Sequence, residues 1–202
     1  MFEGNKEHDE QVTNILYDYE RQLPEGPAKK AVGQIIISRV KEFVYTERNE
    51  EKSKGLIIRI PMKSLLAFRK VRNEVVKQLE TKLNCYVFVV AYRKMIMPRA
   101  QYMGRSRPVA LSLTAAHHKI LEDICAPSSI VGRQIRMHTD GTRTVKIYLD
   151  PLDKEVMEDR LDAMTEAYRK LLNKKVKFLF GKPTKSQKAL IDFKKKQQEA
   201  GN

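Results

Sequence analysis

Between Tyr92 and Pro108 the chain reads Tyr-Arg-Lys-Met-Ile-Met-Pro-Arg-Ala-Gln-Tyr-Met-Gly-Arg-Ser-Arg-Pro. Arg93, Lys94, Arg99, Arg105 and Arg107 recur there among Tyr92 and Tyr102, three Met, two Pro and one Gly, with no acid between them. A guanidinium fork binds two phosphate oxygens at once, and a ring such as that of Tyr102 offers a base a face to stack on. The composition therefore suits an irregular basic arm, residues 93–109, that takes its shape against a polyanion. An ordinary exposed loop has much the same composition, and on that ground alone the two readings stand even. Length favours function, because a connection this long is uncommon in a compact domain. A second basic set, Arg133, Arg136, Arg143 and Lys146, flanks the pair Asp140-Gly141. Judged alone, the solvated outer face of a hairpin accounts for these four as well as nucleic-acid contact does.

Catalysis leaves no comparable trace. Gly181-Lys182-Pro183-Thr184 has Pro where a phosphate-binding loop needs Lys next to Ser or Thr, and Val176 stands where its first Gly belongs. No glycine-rich dinucleotide fingerprint occurs, so neither a nucleotide cofactor nor a small-molecule substrate is expected. His117-His118 and the distant thiols Cys85 and Cys125 lack the close spacing of a zinc site. His118 and Cys125 could share a helix face, but packing or solvent exposure explains them more simply. Glu122 and Asp123 are adjacent and point in different directions on a helix, which suits a solvated side or pairs with nearby lysines. The expectation is a protein that is not an enzyme.

The whole chain agrees with a polyanion partner. Its 202 residues carry 39 Lys plus Arg against 25 Asp plus Glu, a formal net charge of +14. Residues 1–60 hold 10 basic and 11 acidic residues, so all of the excess lies beyond them. No acid occurs from Thr81 to Leu121, and from Arg169 to Lys196 eleven basic residues face only Asp192. Such blocks commonly meet polyanions, although solvated Lys-rich tails are also frequent. Hydrophobic residues at 42 % are enough for a folded core at this length. The longest apolar run, Tyr86–Tyr92, falls far short of the ~20 residues of a membrane-spanning helix. The acidic start Met1-Phe2-Glu3-Gly4 resembles neither a secretory signal nor a transit peptide, so a cytosolic or nuclear location is expected.

Periodicity supplies the elements that must hold these residues. Val12, Ile15, Leu16, Tyr19 and Leu23 recur at helical spacing, predicting a helix over 6–23 that ends at Pro24 and Gly26. Two strands, over 34–46 and 55–61, are predicted on either side of the charged loop 47–54. Leu65, Phe68, Val71, Val75, Leu79 and Leu83 then mark a long helix. The unbroken run Cys85–Ala91 predicts a strand covered on both faces and a βαβ unit with a parallel pair. A helix follows over 112–125. Alternation around Asp140-Gly141 predicts a hairpin, and a three-residue loop with a left-handed Gly141 sets Ile135 opposite Val145, keeping one apolar face. Arg136, His138 and Lys146 then share the other face, with Arg133 just before it. Asp150-Pro151 starts a helix whose seam is Met157, Leu161, Met164, Tyr168 and Leu171, and a short strand carries Val176, Phe178 and Phe180. The expected fold is a mixed α/β domain over 1–181, its mixed sheet flanked by helices, with a Lys-rich tail over 182–202. No internal repeat shows in the residues.

Particular strings resemble a known family. Leu113-Thr114-Ala115-Ala116-His117 with Ile120-Leu121-Glu122-Asp123, then Pro127-Ser128-Ser129-Ile130-Val131-Gly132-Arg133 with Ile135-Arg136, then Asp140-Gly141-Thr142-Arg143 with Lys146 and Leu149-Asp150 are similar, in order and spacing, to the eukaryotic-type seventh protein of the small (40S) ribosomal subunit. Weaker similarity on the central helix and near the end extends the resemblance over about 55–180. It implies a structural role: binding 18S rRNA beside neighbouring 40S ribosomal proteins in the cytosolic ribosome, after nucleolar passage with small-subunit assembly factors of the processome. The family has no point-like active site, so the arm and Arg133, Arg136, Arg143 and Lys146 are what carries over. The arm is shorter and less basic than is usual there, and the 47–54 loop and the tail are additions. A protein-binding adaptor or assembly factor, using the near-neutral first 60 residues, is the second class in view.

Overall fold

The structure, a computed structural model, describes residues 6–46, 52–93, 112–183 and Gln187. It is mixed α/β, with two three-stranded sheets and flanking helices, the fold class expected. The chain divides into two compact units between Ile124 and Cys125.

The first unit opens with α1 (Lys6–Gln22), α2 (Pro27–Gly33), β1 (Arg39–Thr46) and β2 (Lys52–Pro61). It continues with α3 (Met62–Leu83), β3 (Tyr86–Tyr92) and α4 (Leu113–Cys125). β2 lies between an antiparallel β1 and a parallel β3, so the predicted βαβ unit is present. Leu56, Ile58, Ile60, Val87 and Val89 project from one face of this sheet onto Leu65, Phe68, Val71, Val75 and Leu79 of α3. Each such buried side chain contributes roughly 1.5–3 kcal/mol. The other face is buried as well, through Ile57, Phe88 and Val90, which is why the Val-rich run lacks alternation. Gly55 lies against the buried Phe43 ring there, which leaves no room for a Cβ.

Helix α1 serves its own unit. Val12 is fully buried, Asp9 Oδ1 accepts the Val40 backbone N–H at 2.6 Å, and the Tyr19 hydroxyl donates to Glu74 Oε2 at 3.1 Å. Short α2, begun by Pro27, fills the stretch between Gly26 and the strand region. Periodicity over seven residues is too brief to show in a sequence.

The second unit holds β4 (Ile130–Met137), β5 (Arg143–Leu149), α5 (Lys154–Met157), α6 (Leu161–Leu172) and β6 (Lys175–Phe180). Ile135 pairs with Val145, as the three-residue loop requires. His138 N–H donates to Thr142 O, Gly141 N–H donates to His138 O, and Gly141 takes φ +73°, which glycine adopts without a Cβ clash. Asp150 Oδ1 accepts the Leu152 N–H with Pro151 in the first position, the expected cap. The helix after it is not continuous: a 3₁₀ turn at Pro151–Asp153 leads into α5, and another at Glu158–Arg160 separates α5 from α6. Met157, Met164 and Tyr168 are buried, while the other two seam positions, Leu161 and Leu171, are only half-buried.

Both units run strand, antiparallel strand, helix, parallel strand. Leu56 pairs with Val87 and Val145 with Val176, the same separation of 31 residues. The connecting helices α3 and α6 both end on a left-handed asparagine, Asn84 (φ 47°) and Asn173 (φ 53°). The repetition is one of topology and register, which side-chain types barely record. Leu79→Ala in the first unit and Met164→Ala in the second should each lower stability by about 2–5 kcal/mol, read by denaturant unfolding.

Candidate nucleic-acid interface

Strand β5 carries Val145, Ile147 and Leu149 toward the core of the second unit and Thr144, Lys146 and Tyr148 away from it. Parallel β6 does the same, burying Val176 and Phe178 and turning Lys175, Lys177 and Leu179 outward. The register builds rungs across the outer face: Gln134, Lys146 and Lys177 in one, Arg136, Thr144 and Lys175 in the next. Neighbouring strands are about 4.8 Å apart and alternate residues about 6.7 Å. Four cations therefore occupy a small area. No Asp or Glu stands at any position of the three strands, and none of these cations has an ion-pair partner among the described residues. Like charges side by side on a sheet repel one another, and the described part of the sheet itself supplies no carboxylate to offset them. Tyr148 and His138 border it, the tyrosine hydroxyl donating to Gln134 Oε1 at 3.0 Å and His138 Nε2 lying 3.1 Å from Thr144 Oγ1.

The four basic hairpin residues read from the sequence do not form one cluster. Arg136 and Lys146 share the outer face, whereas Arg133 pairs with Ile147 and Arg143 with Met137, on the opposite side of the ribbon. Lys175 and Lys177 were missed as individual residues. Their alternation with Val176 and Phe178 was legible, but only the pairing of β6 with β5 brings them beside Lys146.

In the arm, Lys94, Arg99, Tyr102, Arg105 and Arg107 lie outside the described residues. Arg93 is described, and its guanidinium is already engaged. Its Nη2 donates to Asp123 Oδ2 at 2.7 Å, with side-chain exposures of 12 % and 4 %. The same carboxylate oxygen accepts the Ala91 N–H at 3.2 Å, and Arg72 Nη2 donates to the Asp123 carbonyl at 2.8 Å. Arg93 thus belongs to a buried pair that ties α4 to β3 and α3, rather than to a surface that meets phosphate. Asp123 corrects the expectation of a solvated acid. It turns inward, while adjacent Glu122 pairs with Lys119 at 2.8 Å and faces His118 at 3.3 Å. Cys125 is fully buried, and burial also pushes the half-buried Cys85 thiol up from its ordinary value.

Residues 3–180 match the family model described as Ribosomal protein S7e. The chain belongs to this family. A protein of Avicennia marina named small ribosomal subunit protein eS7 is 31 % identical over 175 residues, 86 % of this chain and 89 % of that one. The protein of the same name from Manduca sexta is 30 % identical over 185 residues, covering 89 % of this chain and 95 % of its own. That of Secale cereale is 36 % identical over 124 residues, 61 % and 65 % of the two chains. The S7e match starts well before the 55–180 span read from the sequence and takes in α1, α2 and β1.

Within this S7e chain the Arg93–Asp123 pair yields a direct test. Asp123→Ala leaves a buried guanidinium without its carboxylate and the Ala91 N–H without its acceptor, and should cost about 3–5 kcal/mol in denaturant unfolding. Glu122→Ala, one residue away at the surface, should change stability by about 1 kcal/mol or less.

Proposed function

We propose that this protein is a structural constituent of the cytosolic small ribosomal subunit and binds 18S rRNA through the outer face of its second sheet. The relatives are named as small-subunit proteins, and the observation that carries the reading is the acid-free face on which Arg136, Lys146, Lys175 and Lys177 lie together. Phosphates neutralise these cations while counterions are released, and the flat strand surface reads RNA by shape rather than by base edges. Lys94, Arg99, Tyr102, Arg105 and Arg107 form a second contact, on the arm whose root Arg93 and Asp123 hold. Arg133 and Arg143 serve the other side of the hairpin. Neighbouring small-subunit proteins complete the site in the particle, and assembly factors receive the chain during its nucleolar passage. The role is architectural, with no reaction assigned to any residue.

The adaptor reading takes the near-neutral first 60 residues as its interface; of these, helix α1 turns Val12 and Tyr19 into its own unit and keeps its polar side for solvent or a partner.

The triple change Arg136→Glu, Lys146→Glu, Lys177→Glu should leave the melting transition nearly unchanged, since all three side chains lie outside the core. Its affinity for 18S rRNA fragments should fall, and the logarithmic salt slope should lessen by about 2, from roughly 0.7 per contact on single-stranded RNA. The tagged variant should also be depleted from 40S and polysome fractions of a sucrose gradient. Wild-type affinity and salt slope in this variant would remove the outer face from the RNA contact.

A further inference from the structure

The side of β4 opposite the cationic face carries exposed apolar side chains. Ile135 is 57 % exposed and Met137 66 %, and both lie between Arg133 and Arg143 on that side. Val131, at the register shift between Ile130 and Gly132, is 62 % exposed. Neither arginine has a carboxylate in ion-pair range among the described residues. β4 is also an edge strand, because the sheet order is β4-β5-β6.

The first unit shows how the same position is completed. There β1 holds the place that β4 holds in the second, and helix α1 lies against it. Val12 of that helix is fully buried, and its Asp9 carboxylate accepts an N–H of the edge strand. Among the described residues, no helix buries Ile135 or Met137, and α6 comes near this side of β4 at Arg133, which lies within electrostatic range of the Tyr168 hydroxyl. We propose that the Ile135–Met137 side of β4 is a docking surface for an amphipathic helix of a neighbouring protein, with acidic residues that meet Arg133 and Arg143. Apolar side chains on the helix cover Ile135 and Met137, while its carboxylates pair with the two guanidinium groups and can accept edge N–H groups, as Asp9 does. RNA phosphates suit this side poorly, since they gain nothing from Ile135 and Met137. The hairpin then holds RNA on one face and protein on the other. This inference rests on the small-subunit reading, because it places the neighbour in that particle.

The test uses the full chain in cells, with p-benzoylphenylalanine introduced at position 137 and small subunits isolated on a gradient before irradiation. The expected product is a cross-link to one ribosomal protein, mapped by mass spectrometry to a helical segment with acids at three- or four-residue spacing. Adding Arg133→Glu and Arg143→Glu should lower its yield about fivefold while the chain still enters the subunit. An adduct with rRNA, an adduct with residues 94–111 or 184–202 of this same chain, or no adduct would each overturn the docking surface. Absence of the chain from the subunit fractions is read before irradiation and would overturn the small-subunit reading itself.

Discussion

The parallel pairing of β6 with β5 decides what the second unit buries and what it presents. Alternation along the two strands is in phase, so one rung after another sends Val, Ile, Leu and Phe toward α6 and Lys outward. A slip of one residue would bury Lys175 and Lys177 and expose Val176 and Phe178, an exchange that neither core nor surface tolerates. Hydrophobic burial therefore fixes the register, and the register in turn aligns the cations. The cationic face is the reverse side of the packing that folds the unit.

The first unit uses the same plan for a different end. Its central strand and crossover helix have the same spacing as in the second, yet its sheet is buried on both faces and its hairpin strand is covered by α1. Its distinctive bond is internal: Asp123 gathers Arg93, the Ala91 N–H and Arg72 around one residue of α4. A charge pair this deeply buried adds less to stability than an apolar pair of the same volume could, but it is directional. It fixes where the chain leaves β3, and so where the basic arm begins.

Much of this was legible from spacing alone. The α3 face from Leu65 to Leu79, the unbroken β3 run and the Asp150-Pro151 cap each rest on a local pattern, the Gly141 loop follows from keeping one apolar face on the hairpin, and each occurs in the fold. The site was less legible because it depends on pairing between distant segments. Arg133, Arg136, Arg143 and Lys146 are close in sequence, yet strand alternation divides them between two faces. Lys175 and Lys177 lie some thirty residues beyond the hairpin and join it only through the crossover. Arg93 and Asp123 show the same limit from the other side: an arginine in a basic run and an acid beside a surface glutamate carry no local mark of the buried bond that joins them.

The proposed RNA contact turns on Lys146, Lys175 and Lys177. Amine-reactive labelling, quantified lysine by lysine on the isolated protein and on intact small subunits, tests it most directly. All three should be strongly protected in the subunit and lose that protection when the RNA is digested, with Lys154 and Lys170 on the helices of the same unit as internal references. Equal labelling of Lys146, Lys175 and Lys177 in the free protein and in the subunit would contradict it.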